Sequence, residues 1–212
     1  MKGRHYLSAV VAALFLCASP CAGAQDPAQP GSQQASLEQL TVQYMKLFQD
    51  ENYTEASALA QLAVTTAEKQ VGAEHPAVAQ TLNDLGLIYG RLGQDEKAIA
   101  THQRALAIRR RLFEPDGPEV AQSLGNLAKA YQAARQFAQA EPLYAELLTI
   151  LRKHYLPDNS RLLDILGRYA DCLRENGKNE QAEAVDVEIR VGKAGSPAAL
   201  QENLDGVPAQ KH

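Results

Sequence analysis

Apolar residues recur along the chain at steps of three and four. Val78, Leu82, Leu85, Gly86, Tyr89 and Leu92 form one such run, the spacing of a single helical face. Gly93 and Gln94 interrupt it, and Ala98, Ile99, Ala105, Leu106, Ile108 and Leu112 begin a second stripe. Pro76 and Pro118 stand where a first helical residue tolerates a missing N–H. Gly93 and Gly177 fall at turns, where a left-handed backbone costs glycine least. The pattern predicts helices over 35–49, 53–71, 76–92, 95–113, 118–134, 137–154, 160–176 and 178–191. Abundant Ala and sparse β-branched and aromatic clusters agree with an all-α chain.

The stripes repeat every 42 residues. Leu82, Leu124 and Leu166 align, as do Leu85, Leu127 and Tyr169, then Tyr89, Tyr131 and Leu173. Gly86, Ala128 and Ala170 are all small, and Ala98, Ala140 and Ala182 recur in the second helix. Leu40, Leu47, Ala56 and Ala63 keep the same phases less cleanly. Four units follow, over about 35–74, 75–116, 117–158 and 159–192, each a pair of helices. Small residues let paired helices approach to about 8–10 Å, and Gly86 is expected to face Ala98, as Ala128 faces Ala140. One pair cannot bury its apolar faces alone, so the pairs must stack into a solenoid with a concave face.

The run Leu82-x-x-Leu85-Gly86-x-x-Tyr89, followed by Gly93, Ala98 and Ala105, resembles the tetratricopeptide repeat (TPR). The long period and the string Ala140-Glu141-Pro142-Leu143-Tyr144 are similar to the kinesin-light-chain-like subtype. The resemblance covers residues 36 to 191, with Leu at the consensus Trp position and His102 and Asp186 at the aromatic position of the second helix. It implies a right-handed superhelical solenoid of antiparallel helix pairs whose function is to bind another protein or peptide. In such folds the first helix of each pair lines the concave face. The candidate groove residues are therefore Gln80, Asn83, Leu87 and Arg91, then Gln122, Asn126, Lys129 and Gln132, then Asp164, Arg168, Asp171 and Arg174. Asn83 and Asn126 match the Asn positions with which similar repeats hold extended ligands, since an amide donates and accepts at once.

The ends of the chain change the setting. Lys2 and Arg4 precede an apolar run from Leu7 to Leu16, and Ala22-Gly23-Ala24 fits the small-x-small rule of signal peptidase. A signal peptide over 1–24, cut after Ala24, places the protein in the periplasm or outside the cell. The run is too short to span the roughly 30 Å bilayer core, so no stable membrane anchor is expected after cleavage. Residues 25–34, with Pro27, Pro30 and Gly31, read as a flexible linker, and 193–212 as a disordered tail. Cleavage removes Cys17 and Cys21 and leaves Cys172, a buried inert thiol by its apolar neighbours. It also leaves 19 basic against 25 acidic residues, a balance that argues against nucleic acid as a partner.

Chemistry finds little support. His75, His102 and His154 lie in different units at no metal-ligand spacing; His75 reads as a helix-boundary residue and His102 as a packing residue. Asp84, Asp164 and Asp171 have no nucleophile motif or Gly-rich loop beside them and read as solvated faces. Arg109, Arg110 and Arg111 end a helix, where cations complement the carbonyl end of the dipole. No enzyme activity, cofactor or metal is expected. The alternative to a binding scaffold is a self-assembling subunit, because the last unit lacks a polar capping helix. Val185 and Ile189 are expected to face outward there and to be covered by a second copy of the chain, as a homo-oligomer through the C-terminal repeat, or by the partner, rather than by the tail folding back through Leu200 and Leu204.

Overall fold

The computed structural model describes residues 36–195, and the segments read above as signal peptide, linker and most of the tail lie outside them. The described residues form eight α-helices: α1 Leu37–Gln49, α2 Tyr53–Val71, α3 Pro76–Arg91, α4 Asp95–Leu112, α5 Pro118–Ala133, α6 Phe137–His154, α7 Ser160–Glu175 and α8 Asn179–Ala194. Each packs on the next, and α3 also meets α5 directly. The odd-numbered helices thus form one layer of a four-repeat solenoid and the even-numbered helices the other.

Local chemistry sets the boundaries. Ser36 caps α1 in a capping box with Gln39. Pro76 and Pro118 open α3 and α5 at the first turn. His75 is the N-cap of α3, its Nδ1 accepting from the Ala77 N–H at 3.1 Å. The turn inside each repeat needs one left-handed residue, and Glu51, Gly93, Arg135 and Gly177 supply it at φ of 58°, 68°, 58° and 74°. Two of these four are not glycine, although the backbone demand is the same. Pro142 sits inside the continuous α6, on its exposed side. The α8 helix runs three residues past its expected end. Gly192 there is buried against the loop before α7, where a Cβ would lie 2.4 Å from the Pro157 carbonyl oxygen.

In the first three repeats one ring fills the helix crossing, supplied by the first helix in the first repeat and by the second helix in the next two. Gly86 and Ala98 line one depression, and the His102 ring lies over Gly86, so close that a Cβ there would fall 2.5 Å from the ring. The equivalent pairs, 42 residues apart, are Tyr44 with Ala60, Ala128 with Tyr144, and Ala170 with Asp186. Tyr44, Ala60, His102, Ala128, Tyr144 and Ala170 are all at most 2% exposed. Volume is conserved across the crossing while its source moves from the first helix to the second. Asp186 carries a charge instead of a ring and pairs with Arg174.

Cys172 is buried and its Sγ donates to the Phe137 carbonyl at 3.2 Å; burial raises its pKa to about 11, which keeps the thiol protonated. At the last repeat Val185 is buried and Ile189 packs partly on the core, against expectation. The outward apolar residues of α8 are Val187 and Val191, one helical face away, at 45% and 65% exposed.

Candidate protein-binding groove

The twelve candidate residues lie on α3, α5 and α7, and the structure gives them unequal roles. Asn83 is 1% exposed and belongs to the core, not the groove. The residue responsible is Arg109. Its side chain is 3% exposed and reaches from α4 between α3 and α5. Nη1 donates to the Glu119 carbonyl (3.0 Å), Gln122 Oε1 (2.9 Å) and Ser123 Oγ (3.0 Å), and Nη2 to Gln80 Oε1 (2.8 Å). Guanidinium nitrogens only donate, so the Asn83 atom 2.6 Å from Nη1 is the amide oxygen. The Asn83 amide nitrogen then donates to His102 Nδ1 at 3.2 Å. His102 must accept there, so its proton sits on Nε2 and the ring is neutral. Burial, and then the Arg109 charge, pull its pKa down to about 4.

Arg109 therefore does not cap its helix as the sequence suggested. It joins the second and third repeats through five polar groups, and burial holds its own pKa below the ordinary value. Its neighbours Arg110 and Arg111 do reach solvent, pairing with Glu146 (2.6 Å) and Glu74 (2.8 Å). Asp84 is likewise no solvated carboxylate. It accepts from Tyr44 Oη at 2.8 Å and from Gln80 Nε2 at 3.0 Å, and burial raises its pKa. Gln80 and Gln122 each have their side-chain oxygen bound to Arg109, although both residues remain exposed. Gln132 accepts from Tyr144 Oη at 2.6 Å.

The α7 candidates neutralise one another. Arg168 pairs with Asp164 at 3.1 Å, and Arg174 with Asp171 at 2.8 Å and with Asp186. Such exposed pairs are screened by water and can exchange for a ligand's charges.

Leu87, Arg91, Asn126 and Lys129 come together around one depression of about 250 Å³, with Gly86 and His102 among its lining. Arg91 and Lys129 form no ion pair among the described residues; Arg91 lies over the Phe48 ring at 5.9 Å. Burial and then nearby Arg168 lower the Lys129 pKa, with Asp164 opposing. Gly90 opens one side of the depression, where a Cβ would meet nothing within 4 Å. His102 was read as packing alone. Its place beside the depression had no signal in the sequence, since it depends on Gly86 lying across the helix pair. Among the described residues no group of three or more His, Cys, Asp or Glu could hold a metal ion, and no helix is long and apolar enough to cross a membrane.

A two-layered stack of helix pairs with a small depression lined by two cations, Arg91 and Lys129, and one carboxylate, Asp95, is the architecture of a repeat scaffold. The tetratricopeptide-repeat model matches residues 47–111, 91–153 and 119–186, and the chain belongs to that family. Among solved structures it is similar to the Podosopora anserina kinesin light chain protein with nearly identical TPR-like repeats. Identity is 23% over 74% of this chain and 75% of that one, with a TM-score of 0.66. It is also similar to BtubC (BKLC) from P. vanneervenii, at 17% identity over 83% and 67% of the two chains and a TM-score of 0.68. Aspartyl phosphate phosphatase F from Bacillus subtilis shares the fold at 16% identity, over 78% and 43% of the two chains, with a TM-score of 0.58. No curated protein matches.

Proposed function

We propose that this protein is an exported, non-catalytic scaffold that holds an extended segment of another protein in its groove, in the service of an envelope or secretion assembly. The observation that carries the reading is the depression between α3 and α5. Arg91 and Lys129 offer two cations that form no ion pair among the described residues, Asn126 offers an amide without a hydrogen-bond partner there, and Leu87 is a large apolar residue 46% exposed. An acidic side chain beside an aliphatic one satisfies all three. Membership of the repeat family supports protein binding, and the residues before Ala24 support export.

Two measurements test it. The intact mass of the protein recovered outside the cytoplasm should correspond to a start at Gln25; a product that retains Met1 defeats the export reading. Affinity capture from an envelope extract should recover a defined set of proteins. Lys129→Glu should lose that set and Glu55→Gln, on the exposed surface of α2, should keep it. Equal capture by both variants places binding away from the groove.

A further inference from the structure

The two ends of the solenoid carry a pattern that its internal junctions explain. At three junctions an ion pair joins consecutive even-numbered helices at the same two positions of the repeat. Glu68 pairs with Arg104, Arg110 with Glu146 at 2.6 Å, and Arg152 with Glu188 at 2.8 Å, each across 36 residues. Moved forward by one 42-residue period, the leading position becomes Ala194, at the end of α8. Moved back by one period, the trailing position becomes Leu62 on α2, which is 50% exposed. The two rungs that have no neighbour within the described residues are the two that carry no charge.

A second contact repeats the pattern. Between the second and third repeats, Gln103 and Ala107 of α4 face Tyr131 and Leu143 across a cleft of about 500 Å³, and Gln103 Nε2 donates to Tyr131 Oη at 2.6 Å. The corresponding positions at the far end are Val187 and Val191, and at the near end Leu47 and Leu59. Inside the chain the contact holds one polar pair, Gln103 with Tyr131, beside the apolar Ala107 and Leu143, whereas between the ends all four positions would be apolar. Val187 and Val191 are exposed, while Leu47 and Leu59 are only partly covered.

We propose that copies of this chain stack end to end, α8 of one against α1 and α2 of the next, in the register of the internal junctions. The complementarity of the two ends to each other selects a second copy as the occupant. A segment folding back, or an unrelated partner, needs to match one end and gives no reason for the other to match it. The contact is heterologous: each added copy presents a fresh end, so association continues with concentration and does not stop at a dimer. This inference is independent of the groove.

Sedimentation velocity across a wide concentration range tests it, on the full chain and on a form lacking residues 1–24. Both should show mass rising with concentration. Leu62→Arg and Ala194→Glu, each alone, would set a charge against an apolar neighbour and should weaken association about tenfold or more. Both substitutions in one chain recreate the Glu68–Arg104 rung and should restore it. Circular dichroism confirms that each variant is folded. A chain that stays monomeric throughout overturns the proposal, as does association that disappears with residues 1–24. Association that appears only on truncation at Gly195 makes the tail the occupant of this end. Single variants that associate like the parent, or a folded double variant that fails to recover, also overturn it.

Discussion

Acidification should destabilise this protein through one histidine. His102 is 2% exposed, lies over Gly86, and accepts a hydrogen bond that only a neutral ring can accept. Its pKa falls from 6.5 to about 4 on folding, because burial and Arg109 both oppose a second proton. The sign follows from linkage. Between those two values the unfolded chain binds a proton that the folded chain refuses, so the stabilisation is complete above about pH 6.5 and is lost as pH falls. At about 1.4 kcal/mol per unit, the loss is roughly 2 kcal/mol near pH 5 and approaches about 3 kcal/mol below pH 4. That is a large share of a typical stability of about 5–15 kcal/mol. Asp84 acts in the opposite sense: its raised pKa adds stability at low pH that is lost as pH rises, so the parent alone does not isolate the histidine. His102→Gln keeps an acceptor for the Asn83 amide and cannot titrate. Urea unfolding followed by circular dichroism should show the parent losing stability between neutral pH and about pH 5, and the variant losing less by about 2 kcal/mol. A parallel NMR titration should find one ring that stays neutral through pH 6. A His102 signal that titrates near 6.5, or parallel pH profiles for the two proteins, would refute the reasoning.

Three further outcomes follow from packing and backbone geometry. Ala128→Leu adds bulk to a fully buried position in phase with the Tyr144 crossing, and should lower stability by about 1–3 kcal/mol in thermal melts; an unchanged melt would mean that the crossing has room. Glu51→Gly relieves a left-handed non-glycine residue at φ 58° and should be neutral or stabilising by up to about 1 kcal/mol, whereas Glu51→Val should destabilise; the reverse order in chemical denaturation would contradict the turn geometry. Gly192→Ala places a methyl 2.4 Å from the Pro157 carbonyl oxygen, so hydrogen exchange should become faster in α8 than in α3.

The helices were legible because their signals are local. Stripe spacing, Pro76, Pro118 and the glycines at the turns each act within a few residues, and the 42-residue period carried the same reading from one repeat to the next. The end of α8 was misjudged because Gly192 looks like a stop. Its reason is tertiary: it lets the helix lie against the Pro157 loop. The groove was less legible for the same reason. Periodicity assigns a residue to a face but does not say what reaches it from the next helix. Asn83 kept its expected phase, yet Arg109 arriving from α4 turned it inward. Arg109 resembled its neighbours Arg110 and Arg111 in the sequence, and a buried cation bound by neutral oxygens leaves no charge pattern to detect.

The switch of bulk from the first helix of the pair, in the first repeat, to the second helix thereafter bears on how such a chain can be inherited. Gly86 suits His102, and Tyr44 shares its crossing phase with Ala60. A gene recombination that joined α1 to α6 would set two tyrosines, Tyr44 and Tyr144, into the space for one ring. One that joined α3 to α2 would set Gly86 opposite Ala60 and leave a void. Exchanges that mix the helices of the first repeat with those of the second or third are therefore penalised by overpacking or by a cavity, each costing on the order of 1–5 kcal/mol, whereas the second and third repeats both take their ring from the second helix. Exchanges at the loops between repeats keep every such crossing intact, so the whole helix pair is the unit that duplication or deletion moves at least cost, except where the Arg109 contacts between the second and third repeats would be broken.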